Sequence, residues 1–126
     1  MSDLPPFQLG HPRTELRRQL VDAVMRGEKT ATAGLLADYE AEGEQPEAAG
    51  ARCRLLGYDD EPVAVVEVTE SRVVTAGEVD VEFAQDEGEG FETVEEWRVA
   101  HERFFGQPLQ PETPIVAIRF RVVERL

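Results

Sequence analysis

The side chains that could do covalent or metal chemistry are few, and their spacing restricts them. Cys53 is the single cysteine, so no disulfide can form within the chain. His11 and His101 lie far apart and neither sits in a zinc-ligand spacing, so no metal and no cofactor is expected. The one concentrated basic stretch is Arg13, Arg17, Arg18, Arg26 and Lys29, whereas Arg98, Arg103, Arg119 and Arg121 are dispersed. Against them stand 26 acidic residues to 13 basic ones, a formal net charge of −13. A surface of that sign repels long polyanions, because affinity for extended nucleic acid comes from phosphates neutralised by Lys and Arg. A small neutral ligand suits this composition better.

The elements that would hold these residues can be read from periodicity. A chain of 126 residues, 41% hydrophobic, is enough for one continuous core, and a single domain over 1–126 is expected. The first ten residues carry Pro5, Pro6 and Gly10, which disfavour a regular element, with Phe7 and Leu9 available to fold back on the core as a clasp. No basic segment followed by an apolar run is found there, and nothing approaches the roughly eighteen apolar residues that cross a bilayer, so a cytoplasmic location is expected. From Pro12 to Met25, Leu16, Leu20, Val21 and Val24 recur at helical spacing, with Gly27 just past the end. A short small-residue segment follows at Thr30 to Thr32, then a helical turn over 35–42 and a surface loop over 43–50. Strands are expected over 51–58, 62–74 and 114–123, the last alternating Val116, Ile118, Phe120 and Val122 with Ala117, Arg119 and Arg121 and so burying one face. Between the second and third, Thr75 with Glu78 and Thr93 with Glu96 match capping boxes and introduce two helices. In the second, Trp97, Ala100 or His101, and Phe104 share one stripe. Helices mixed with non-alternating strands argue for an α+β fold around a mostly antiparallel sheet, curled or closed into a small barrel.

Three local strings resemble the ASCH family and together span most of the chain. They are Gly27-Glu28-Lys29-Thr30-Ala31-Thr32, the run from Tyr39 to Glu44, and Glu87-Gly88-Glu89-Gly90 followed by Trp97-Arg98, His101 and Phe104-Phe105. The resemblance implies a PUA-like fold, similar to the RNA-binding domains associated with pseudouridine synthases, with the Lys29 segment lining its cleft. It also implies a role around nucleosides or RNA. Some members are amidohydrolases that remove the acetyl group of N(4)-acetylcytidine, and others are ribonucleases. The lysine, threonine and glutamate of the amidohydrolase members fall on Lys29, Thr32 and Glu87. Two positions depart from the pattern: Ala37 stands where a tryptophan is common, and Phe91 where an aspartate is.

Splitting an amide without a metal needs a nucleophile, a group to move its proton, and donors for the oxyanion. Thr32, Lys29 and Glu87 fill those roles in two ways: Lys29 as base to Thr32 with Glu87 as proton donor, or Glu87 as base with cationic Lys29 at the oxyanion. The first requires burial or a neighbouring cation to make the amine neutral. Tyr39, Arg98 and His101 are the candidates for holding the substrate, Tyr39 by stacking on a base. Each has an ordinary structural reading as well. A lysine just past a helix is usually solvated and adds little to packing, a threonine hydroxyl bonds backbone, and an acid-rich loop is solvated. Arg98 reaches a surface acid as readily as a ligand, and Trp97 and Phe104 are expected as core anchors. The expected partner is therefore a nucleoside or modified cytidine, with RNA bound weakly. An RNA site would require the basic residues of the first helix to share one face beside the cleft.

Overall fold

A computed structural model describes residues 4–126. In chain order the elements are β1 (Pro6–Phe7), α1 (Glu15–Met25), β2 (Ala31–Leu35), α2 (Leu36–Ala41), β3 (Arg52–Leu56), β4 (Pro62–Thr75), a 3-10 turn (Ala76–Glu78), α3 (Val81–Asp86), α4 (Val94–Phe105) and β5 (Pro114–Arg125). The strands form one sheet in the order β1-β3-β4-β5-β2, antiparallel except between β1 and β3. The outermost strands do not pair with each other, so of the two expected shapes the α+β fold adopts the open one. Register shifts at Val65/Val66 and Val68/Glu70 interrupt the long β4–β5 ladder, and such bulges bend a strand and let a sheet curl.

The sheet is covered on both faces. Val116, Ile118 and Phe120 of β5 pack with Phe7, Leu9, Leu20, Val21, Val24, Leu55 and Val66. Ile115 and Ala117, pointing the other way, pack with Leu35, Phe83, Trp97 and Leu109. The expectation of one buried face on β5 is thus corrected for its first half, because α3 and α4 cover the side that alternation had assigned to solvent. Phe104 is a second correction. It lies 45% exposed although it falls on the same helix face as buried Trp97, two turns on and next to the helix end, where it borders the cavity, and it is His101, one turn after Trp97, that continues the buried stripe.

Local signals fare unevenly. Thr14 caps α1 by accepting from Arg17 N, so the helix begins at Glu15, three residues after Pro12, rather than at it. The Thr75–Glu78 capping box is present with both hydrogen bonds, yet it closes only the 3-10 turn, and α3 starts afresh from an Asp80 cap. Thr93 caps α4, but the Glu96 carboxylate reaches back to Glu92 N rather than to the cap itself. The segment at Thr30 to Thr32 becomes β2, an edge strand on β5.

The amino-terminal clasp is real within the described residues, and residues 1–3 lie outside them. Phe7 and Leu9 are buried, and contrary to expectation Pro6 and Phe7 form a regular pairing with Arg54 and Leu55. Arg17 anchors this segment. Its side chain is fully buried and donates to Leu9 O (3.0 Å), Gly10 O (3.1 Å), Gly57 O (3.1 Å), Gln8 Oε1 (3.3 Å) and Asp60 Oδ1 (2.5 Å). No helix among the described residues is long and apolar enough to cross a membrane.

Candidate functional site

The site is built where two helix ends meet. At the end of α1, Gly27 takes a left-handed φ of +82°, and Glu28 N and Lys29 N both donate to Ala23 O (2.9 and 3.1 Å), which turns the Lys29 side chain inward. At the end of α3, Gly88 takes φ +73° and lies directly against that turn. A Cβ on Gly88 would sit 2.5 Å from Glu28 O and 2.7 Å from Lys29 Cα, so only glycine permits this approach. Thr30 N donates to Asp86 O (2.8 Å) and fastens the two ends together.

The result is a buried cluster of charged groups. Lys29 is 2% exposed, and its Nζ donates to Ala31 O (2.9 Å) and Glu87 O (3.2 Å), with Glu89 Oε2 at 3.4 Å and Glu87 Oε1 at 3.5 Å. Four oxygens surrounding one nitrogen form the hydrogen-bond environment of an ammonium, since a neutral amine would turn its lone pair toward an oxygen. The expectation that this lysine is solvated and adds little to packing is therefore corrected. Glu87, 1% exposed, accepts from Trp97 Nε1 at Oε2 (2.6 Å) and faces His101 Nε2 at Oε1 (3.2 Å). Trp97 and His101 are one helical turn apart on α4, and their rings stack with centroids 4.4 Å apart.

His101 Nδ1 lies 2.8 Å from Trp97 O, which can only accept, so Nδ1 carries a proton. Nε2 then donates to Glu87 only if the ring is an imidazolium. Burial works against that charge, but the Glu87 hydrogen bond and charge and the Trp97 carbonyl outweigh it and raise the pKa above its usual value. Glu87 shifts in the complementary direction. Burial opposes its ionisation, and His101, Lys29 and Trp97 together hold it below the usual carboxylate range. Glu89 goes the opposite way, raised by burial and by the Glu87 charge despite Lys29.

These groups form one wall of a cavity of about 450 Å³. Thr32 of β2 lines it, and among the described residues its hydroxyl has no hydrogen-bond partner. Tyr39 also lines it, packed on Gly34, with its hydroxyl donating to Glu47 Oε1 (2.8 Å); burial, then Glu47, raises its pKa. Phe7, Leu9, Leu20 and Ile118 supply apolar wall, and Phe104, stacked on His11 with centroids 5.9 Å apart, stands with Arg103 on the helix that borders the cavity. Lys29, Thr32, Glu87, Tyr39 and His101 are thus brought together. Lys29 Nζ makes no hydrogen bond to Thr32, as the first of the two chemical assignments would require.

Arg98 is not brought to the cavity. One residue on from Trp97 it points about 100° around the helix, where it pairs with Glu95 and with Glu102 (2.8 Å) and borders a separate depression beside Leu109. Phe91, at the position of an expected aspartate, packs against His101 with ring centroids 5.9 Å apart. Glu89 lies in the Glu87–Gly90 string without a motif role of its own, Arg103 is one of the dispersed basic residues, and Glu47 and Gln8 carry no local sequence signal; all four line the cavity. Cys53 lies in the core, its thiol pushed up to about 11 by burial and by Glu47, so it is not a nucleophile at neutral pH. Among the described residues no group of three or more His, Cys, Asp or Glu side chains is arranged to hold a metal ion.

The basic residues of the first helix do not share a face. Arg17 is buried, Arg13 pairs with Asp59 (3.3 Å), Arg18 lies over the Tyr58 ring, Arg26 pairs with Glu28, and Lys29 is inside the cluster.

The family model for the ASCH domain matches residues 7–124. The chain belongs to the ASCH domain family. No curated protein matches it. Among solved structures, this ASCH domain is similar to protein EF3133 from Enterococcus faecalis V583, at 29% identity and a TM-score of 0.86, over 99% of this chain and 79% of that one. It is also similar to an ASCH domain from Lactobacillus crispatus JV V101, at 25% identity and a TM-score of 0.81, over 96% and 80% of the two chains. The α+β class expected from the residues and the PUA-like fold that the resemblance implies are those of these structures.

Proposed function

We propose that this ASCH domain takes a single pyrimidine nucleoside into the cavity and removes an acyl group from the exocyclic amine of cytidine. The observation that carries the reading is a buried cluster of Lys29, Glu87, Glu89 and His101 at the wall of a nucleoside-sized cavity, with the unpartnered hydroxyl of Thr32 beside it. Thr32 Oγ attacks the acyl carbon while its proton passes to a carboxylate of the cluster. The third Nζ proton of Lys29, shared over long contacts by Glu87 and Glu89, turns to the oxyanion. As the C–N bond breaks the carboxyl group returns the proton to the departing amine, and water then hydrolyses the Thr32 ester. A cationic Lys29 at the oxyanion, as in the second of the two chemical assignments, fits this environment better than the neutral base of the first.

One observation favours a second reading, a non-catalytic module for an RNA base. Arg103 is the one arginine whose side chain has no hydrogen bond, ion pair or ring contact among the described residues, and with exposed Phe104 it would suit a base still attached to phosphate. The dispersal of the other arginines supports only a short strand. Incubating purified protein with N(4)-acetylcytidine and, separately, with short single-stranded RNA separates the readings. Acetate and cytidine are the products expected, and cleaved or merely bound RNA without acetate release would overturn the proposal.

A further inference from the structure

Glu87 and Glu89 both contact Lys29, yet the chemistry needs one proton carrier, and their surroundings differ sharply. Both oxygens of Glu87 are occupied, Oε2 by Trp97 Nε1 and Oε1 by His101 Nε2 and Lys29 Nζ. Taking up a proton there would set it against an N–H already in place. The Glu89 side chain is 25% exposed, its Oε2 meets only Lys29 Nζ, and its Oε1 has no partner among the described residues. Both residues border the cavity with Thr32.

We propose that Glu89 is the catalytic acid–base residue and that Glu87 is a positioning residue, a fixed counter-ion that orients Lys29 and His101; the assignment rests on the deacylation reading above. Glu89 takes the Thr32 hydroxyl proton as the Oγ–C bond forms and delivers it to the cytidine nitrogen as the C–N bond breaks. It then takes a proton from the water that attacks the acyl ester and returns it to Thr32 Oγ as the ester C–O bond breaks, so every proton is accounted for. Two carboxylates whose environments push their affinities for a proton apart are the usual basis of divided roles, and here the raised one faces the cavity.

The test compares kcat, KM and the pH profile of acetate release from N(4)-acetylcytidine. Glu89→Gln should lower kcat by about 10²–10⁴-fold with KM little changed, the range of lost general acid–base catalysis. Its thermal midpoint should stay close to that of the wild type. Glu89→Asp should keep part of the activity, with the acidic limb of the profile displaced. Glu87→Gln should keep the acidic limb at a reduced rate. Glu89→Gln turning over within about threefold of an active wild type, or loss of the acidic limb only in Glu87→Gln, overturns the assignment while the deacylation reading stands. A wild type that releases no acetate overturns that reading and the assignment with it.

Discussion

Replacing Glu87 by glutamine preserves shape and removes one buried charge, so its cost can be worked bond by bond. The amide oxygen can still accept from Trp97 Nε1 at the 2.6 Å site, which lowers a charge-assisted bond to a neutral one, a loss of about 1 kcal/mol. The amide nitrogen must then face His101 Nε2 and Lys29 Nζ, both donors when charged, which forfeits the His101 bond at about 1.5–3 kcal/mol. The Lys29 contact is long, and Nζ keeps two carbonyls and Glu89, so it adds little. The total near pH 6 is about 2.5–4 kcal/mol, overlapping the roughly 3–5 kcal/mol for removing one partner of a buried pair. The penalty must also depend on pH. The pKa of His101 is raised in the folded state, so its stabilisation is complete below the unfolded value near 6.5 and is lost as pH rises through the folded value. Above that point the imidazole Nε2 presents a lone pair, which repels the carboxylate of the wild type but accepts from the amide of the variant. Urea unfolding at about pH 6 and about pH 9 should therefore show a penalty that shrinks on the alkaline side, and the His101 ring should titrate at lower pH in the variant. A penalty below about 1 kcal/mol at the lower pH, or equal penalties at both, would refute the imidazolium–carboxylate pair.

Four further outcomes are expected. Thr32→Ser should keep part of the acetate release and Thr32→Val should lose it at similar stability, whereas the reverse order in turnover would remove the hydroxyl from the mechanism. Lys29→Ala should lower the unfolding free energy by about 3 kcal/mol or more, since it removes the buried cation that Ala31 O, Glu87 O and Glu89 share; an unchanged thermal midpoint would contradict the buried cluster. Gly88→Ala should be destabilising by several times the ordinary ~1 kcal/mol of a glycine substitution, because the left-handed φ and the 2.5 Å approach to Glu28 O add; a circular-dichroism melt checks it. Binding of single-stranded RNA should weaken steeply between about 50 and 200 mM salt, and Arg103→Ala should weaken it further in a fluorescence-anisotropy titration, while tight binding at physiological salt would contradict the dispersed arginines.

Much of the framework is legible along the chain because it is set by local spacing. The 3.6-residue recurrence of Leu20, Val21 and Val24 makes α1, and the β-branched runs make β4 and β5. The strings around Lys29 and Glu87 carry the family, which the match over residues 7–124 shows. What spacing cannot report is which surface another element will cover. Arg17 and Lys29 carry the charge of solvated residues and are buried, because β1, the β3–β4 turn and α3 close over them with a full set of acceptors. Arg98 sits beside buried Trp97 and faces outward, because the rotation of α4 was chosen by Trp97 and His101 reaching Glu87, and Phe104, on the Trp97 face, stays half exposed because it borders the cavity. The pairing of Lys29 with two carboxylates distant in sequence depends on one close contact at Gly88, which no local propensity encodes. The sequence alone therefore determined the elements, the charge and the residue types of the site. Tertiary packing decided which of those charges left water and which carboxylate kept an open oxygen, because desolvation and hydrogen-bond geometry exist only once distant segments are in contact.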